Sequence, residues 1–262
     1  VYVGIVESDD FIDANYFEVL YTCAKTYDLD IVRANYWLYW SKPDPRNVLF
    51  ESYLSSECNE VFNPRDKVSC FFFPPALWSM LVKRSVIVDH KLSLLETPGA
   101  SFQDTAFSFK LWAYAERAML LEDAFLHYRQ DNESSSINSK SKAYYVCEEY
   151  HEIERFLSDE LNDLSMMPVA VKRKFDAYMW NMSRIADDLR PDFACVVSGE
   201  FRQAKDSGFL VRDLFTPEQW DNLEEIIANP EKFAASFGQS RRIKSGVLRR
   251  LRAFLVSSRK GA

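Results

Sequence analysis

The stretch Val1-Tyr2-Val3-Gly4-Ile5-Val6-Glu7-Ser8-Asp9-Asp10 turns from wholly apolar to acidic, and its reading decides the fold. An uninterrupted apolar run, Tyr2 to Val6, is the pattern of a strand buried in a parallel sheet with both faces covered. The acidic turn at its carboxyl end lies where α/β sheets open their ligand crevice. A central strand needs neighbours, so the expectation is a fold whose preceding portion is not within these residues.

Downstream, Tyr16, Leu20, Cys23, Ala24 and Tyr27 are spaced for one buried helical face. Ile31 to Trp37 reads as a strand, and Ser41 to Ser69, rich in Pro, Asn, Asp and Ser, as loop with a short helix. Pro75 predicts a helix start over Ala76 to Lys83. Asp104 to Glu116 reads as helix, Ala118–Leu121 and Ala124–Arg129 as two short strands, and Asp131 to Ser141 as a polar loop.

From Tyr144 the period is helical. Tyr150, Ile153, Leu157, Leu161 and Leu164 share one stripe, and Phe175, Tyr178, Met182, Ile185 and Leu189 another. Thr216-Pro217-Glu218-Gln219 has the form of a capping box, followed by Trp220, Leu223 and Ile227 on the buried face and stopped by Asn229-Pro230. The predicted organisation is an α/β part over 1–142, a helical domain over 143–233 and a basic tail over 234–262.

Composition fits one substantial core: 262 residues, 47% hydrophobic and 15% aromatic, with few Gly and Pro. The five cysteines lack CxxC spacing and read as reduced thiols of a cytoplasmic protein rather than zinc ligands. The whole-chain charge is −7, yet from Phe233 onward there is no acidic residue, while Arg241, Arg242, Lys244, Arg249, Arg250, Arg252, Arg259 and Lys260 are all basic. The body is therefore too acidic to favour nucleic acid, whereas the tail suits anionic lipid. Ile243, Val247, Leu251 and Phe254 give that tail an apolar helical stripe, with peripheral contact to the inner membrane leaflet as the expectation and a solvated end as the alternative.

Three segments carry candidate chemistry. Glu7, Asp9 and Asp10 repel one another unless a cation sits among them, and hard oxygen ligands suit Mg²⁺ or Mn²⁺. The same turn would also serve as an ordinary helix cap. Ser101-Phe102-Gln103-Asp104-Thr105 places an Asp before a helix, where by itself it reads as the N-cap. His127-Tyr128-Arg129 runs into Asn132, Ser134, Ser135 and Ser136, either an exposed loop or a diphosphate grip, since Arg is suited to bidentate phosphate contacts.

Taken together and in this order, the segments Tyr2–Ile12, Pro98–Phe107 and Leu126–Ser135 resemble the inverting glycosyltransferases of family 2. The resemblance implies the C-terminal part of a GT-A (nucleotide-diphospho-sugar transferase) α/β fold followed by an all-helical region. Glu7 stands where the family's metal motif begins with Asp, and the family's upstream nucleotide-binding unit has no counterpart in these residues. By the same resemblance Asp9 and Glu7 would hold Mn²⁺ or Mg²⁺, and Asp104 would be the general base. Glu7, Asp10, His127, Arg129 and Ser135 would contact the nucleotide-sugar donor, and Trp78 and Gln103 the glycan or lipid-linked acceptor. The implied role is bacterial surface-glycan synthesis. A catalytically incomplete remnant acting as an interaction module, and a metal-dependent phosphohydrolase, are the competing classes.

Overall fold

The computed structural model describes residues 1–97, 102–131 and 143–237. Its described residues fall into two compact units, one containing 1–131 with Tyr145–Arg173, the other 143–144 with the residues from Lys174 onward. The α/β unit thus takes in helical sequence that the pattern had assigned beyond 142.

In chain order the first unit comprises β1 (Tyr2–Gly4), β2 (Phe11–Ile12), α1 (Tyr16–Thr26), β3 (Ile31–Trp40), β4 (Arg46–Phe50), β5 (Met80–Lys83), α2 (Arg84–Asp89), α3 (Asp104–Tyr114), β6 (Ala118–Arg129) and α4 (Tyr145–Arg155). The sheet order is β1-β5-β3-β6-β2, with β4 pairing β3 as well. Among the described strands only β3 and β6 run parallel, in register from Ile31–Ala118 to Tyr39–Arg129 with shifts around Asn35. That pairing carries both strands to one edge, where Arg129 meets the acidic turn. α1 buries Tyr16, Leu20 and Ala24 against Val32, Ala34, Leu81, Met119 and Phe125 of the sheet.

α5 (Met167–Met182) runs from the first unit into the second, which continues with α6 (Arg190–Asp206) and α7 (Pro217–Ala228). Its core includes Phe175, Tyr178, Met182, Phe193 and Phe201. The capping box forms as read: Gln219 N donates to Thr216 Oγ1 at 3.2 Å, and Thr216 N to Gln219 Oε1 at 3.0 Å.

Several expectations are corrected. β1 is an edge strand antiparallel to β5, not a central parallel one, and Val3, Ile5 and Val6 are exposed. An apolar run reports β-propensity, whereas burial depends on how many neighbours the strand finds. Ala76–Lys83 is a short 3₁₀ turn followed by β5, because its β-branched and long apolar residues pair with both β1 and β3. The two strands read at 118–129 are one bulged strand, and the presumed loop holds β4, a five-residue, largely exposed strand too short to announce itself among the surrounding turn residues. Tyr27 lies beyond the end of α1 and is exposed. Leu164 also escapes its stripe, because the helix ends after a π-type turn over Phe156–Glu160 and Leu164 opens a separate 3₁₀ turn. On α7, Ile226 rather than Ile227 is the residue buried.

Within the core, Arg33 on β3 is 0% exposed, with its guanidinium 5.5 Å from the Phe73 ring centroid. None of its side-chain nitrogens has a hydrogen-bond partner among the described residues. An isolated buried cation is costly, and replacement by an apolar residue of similar length removes the desolvation term. Arg33→Met is expected to raise unfolding stability by about 1–4 kcal/mol in urea titrations.

Candidate active site

The acidic turn sits where β1 ends. Glu7, Asp9 and Asp10 each offer a carboxylate oxygen, and these lie within 4.8 Å of one another. The turn is closed by Asp10 N donating to the Glu7 carbonyl at 3.2 Å. Arg129, at the end of β6, holds it from the side: its backbone N donates to Asp10 Oδ1 at 2.8 Å, and its Nε to the Asp9 carbonyl at 2.8 Å. The remaining oxygen, Asp10 Oδ2, is buried and without a hydrogen-bond partner among the described residues. Burial, moderated by the Arg129 N–H and reinforced by Asp9 and Glu7, pushes the Asp10 carboxyl up to about 6. Desolvation and then Asp9 raise Glu7 as well. Three hard oxygen donors, one of them orphaned and all held at close range, fit a divalent cation such as Mn²⁺ or Mg²⁺.

Asp104 is the first residue of α3 and is half-buried. Loss of water pushes its carboxyl up to about 7; its own N–H opposes this, the Glu7 charge adds to it, and Arg173 and Thr105 lower it. A carboxyl poised near neutrality is suited to take and release a proton. Asp104 and Glu7 are thus electrostatically coupled although far apart in the chain.

Gln103 Nε2 donates to the Thr97 carbonyl at 3.0 Å, so it ties down the approach to α3. His127 has both ring nitrogens engaged, with Asn47 Oδ1 at 3.0 Å and Asp13 Oδ1 at 3.2 Å, and stacks on Phe11 at 4.3 Å. Arg129 lies over Tyr39 at 5.0 Å, and its Nη1 is 3.9 Å from Asp131. In this arrangement His127 and Arg129 build the wall of the turn. Trp78 is 7% exposed and packs between Tyr36 and Tyr128, which makes it core beneath the site. Ser135, the other loop residues 132–142, Pro98–Ser101 and the tail stripe beyond 237 lie outside the described residues. The cysteines are free.

Two residues enter that the sequence reading passed over. Tyr128 is half-buried, and after desolvation the charges of Glu7, Asp10, Asp104 and Asp9 all raise its phenol. Glu149 on α4 is buried, accepts from Ala106 N at 2.9 Å, and is pushed up to about 7, mainly by desolvation and with Asp104 contributing. A signal for it existed: Val146, Glu149, Tyr150 and Ile153 occupy one helical face at i, i+3, i+4 and i+7.

These raised carboxyls give the protein a definite pH dependence. Between the unfolded value near 3.8 and the folded values near 6 and 7, the native state binds more protons than the unfolded chain. Stability is therefore present below that window and falls as pH rises through it. Asp104→Asn and Asp10→Asn are each expected to flatten this decline and add on the order of 1–3 kcal/mol at pH 8, read by denaturant unfolding across pH 4–8.

No family model and no curated protein matches the sequence. Solved structures do. The structure of residues 1–349 of S. aureus TarS in complex with UDP-GlcNAc aligns with a TM-score of 0.62 and 14% identity, covering 93% of this chain and 68% of that one. A second structure of S. aureus TarS 1–349 aligns with a TM-score of 0.44 and 14% identity, over 93% of this chain and 67% of that one. The chain therefore has a GT-A-like glycosyltransferase fold, a mixed α/β part with a helical region.

Proposed function

We propose that this protein is a metal-dependent glycosyltransferase that moves a sugar from a nucleotide-sugar donor to a glycan or lipid-linked acceptor in cell-surface glycan synthesis, with inversion. The observation that carries the reading is the cluster of three carboxylates after β1, with the raised carboxyl of Asp104 electrostatically coupled to its Glu7. The likeness of the fold to TarS, solved with UDP-GlcNAc, supports it and makes UDP-GlcNAc the first donor to try.

In this reading Asp9, Glu7 and the orphaned oxygen of Asp10 hold the divalent ion. Mn²⁺ or Mg²⁺ would supply Lewis-acid neutralisation of charge on the leaving diphosphate. Asp104 accepts the proton of the acceptor hydroxyl as that oxygen attacks the anomeric carbon from the face opposite the leaving group. One displacement inverts the configuration, and the carboxyl returns its proton to solvent. A base near neutrality suits this step, because a more acidic carboxylate would be a weaker acceptor. Arg129 keeps the acidic turn in place, Tyr128 offers a phenol among the carboxylates, and Gln103 fixes the approach to α3. The basic residues 241–260 would bring the enzyme to anionic lipid, where lipid-linked acceptors lie.

The test is release of nucleoside diphosphate from UDP-GlcNAc and a panel of other nucleotide sugars with acceptor glycans, in Mn²⁺ or in chelator. Turnover is expected only with metal, and Asp104→Asn should lower kcat by at least about 100-fold with donor affinity unchanged. Parental turnover by Asp104→Asn would remove it as the base. In parallel, Mn²⁺ should raise the Tm of the parent and fail to do so in Asp9→Asn. Equal shifts in both would overturn the metal assignment.

A further inference from the structure

The head of α3 is unusual in how it is held. Its N-cap residue, Gln103, makes no side-chain capping bond to the helix. The residue before that, Phe102, has φ of +65°, a left-handed conformation that L side chains rarely adopt. Exposed N–H groups in a first helical turn need an acceptor, and Ser, Thr, Asp or Asn at the N-cap ordinarily supplies it. Here the acceptor comes from another helix: Glu149 of α4, 0% exposed, receives Ala106 N at 2.9 Å through Oε2.

We propose that Glu149 is the positioning residue for Asp104, fixing the first turn of α3 so that the base carboxylate faces the acidic turn. The inference rests on the glycosyltransferase reading for its kinetic consequence but not for its structural one. Asp104 is two residues before the bonded amide, so a turn released at Ala106 carries Asp104 with it. Strain at Phe102 would favour such a release unless something beyond the local chain opposed it.

The groups facing Glu149 are Asp104 at the head of α3, Lys110 further along α3, and Glu152 on its own helix. Lys110 is committed to an ion pair with Glu152. Glu149 Oε1 is buried with no hydrogen-bond partner among the described residues. The protonated acid suits such a place: Oε2 still accepts the amide, and no unpaired charge is buried. Glutamine has the same length and the same accepting oxygen, so it is the isostere of the working form. Alanine removes the acceptor.

The experiment compares Glu149→Ala and Glu149→Gln with the parent by transfer kinetics and by amide hydrogen exchange over Asp104 to Phe107. Glu149→Ala is expected to lower kcat 10- to 100-fold with donor KM within twofold, since small misplacements of a reacting group carry penalties of this size. Exchange at Ala106 should accelerate at least tenfold, while the buried amides of β3 and β6 stay protected. Glu149→Gln should restore both readouts to within about threefold of the parent. A folded alanine variant with parental kcat overturns the proposal, as does a glutamine variant as impaired as alanine. Should no donor be turned over even by the parent, the transferase reading fails, and exchange alone decides the positioning claim: unchanged protection at Ala106 in Glu149→Ala overturns it.

Discussion

Carboxylates crowded at the end of a strand repel one another, and the two bonds from Arg129 are what hold them together. The backbone N–H of Arg129 neutralises part of the Asp10 carboxylate, while its side-chain Nε pins the Asp9 carbonyl, so one residue ties the turn through both its main chain and its side chain. That tie exists only because β6 runs parallel to β3 and extends far enough to present its last residue beside the turn. Its neighbours reinforce the wall. His127 is bound at both nitrogens, Tyr128 stacks on buried Trp78, and Asp131 accepts from Ser41 and Lys42.

The second half of the site is organised by burial. α3 is apolar or enclosed on nearly every face from Thr105 to Ala113, so its first residue is delivered to the site by a rigid element. Desolvation raises Asp104, Asp10 and Glu149 in the same direction, and neighbouring carboxylates raise them further, against the lowering effect of Arg173, Arg129 and Lys110 respectively. The arrangement costs stability near neutral pH. A cluster of this sort is tolerated where its raised carboxyls have a chemical use, a common pattern at active sites.

Much of the site was legible in the sequence because its pieces are local. The acidic turn after an apolar run, the Asp at a helix start and the His-Tyr-Arg strand each announce themselves within a few residues. Trp78 and His127 were legible as residue types but not as contacts. Whether an indole lies open or beneath Tyr128 depends on the 3₁₀ turn and β5, which the proline at position 75 disguised as a helix. Glu149 lay on a readable apolar stripe, yet its role needed the meeting of α4 with α3.

By itself the sequence determined the alternation of strand and helix, the helical character of the chain after Tyr144, the capping box at Thr216 and the residues able to bind a cation or a proton. These depend on periodicity and on side-chain chemistry, which are properties of neighbours in the chain. Only the tertiary structure decided that β1 is an edge strand, that Arg129 clamps the turn, that Glu149 caps α3 and that Asp104 is held near neutrality. Those outcomes turn on strand order, desolvation and charges brought together from more than a hundred residues apart, and no local pattern encodes them.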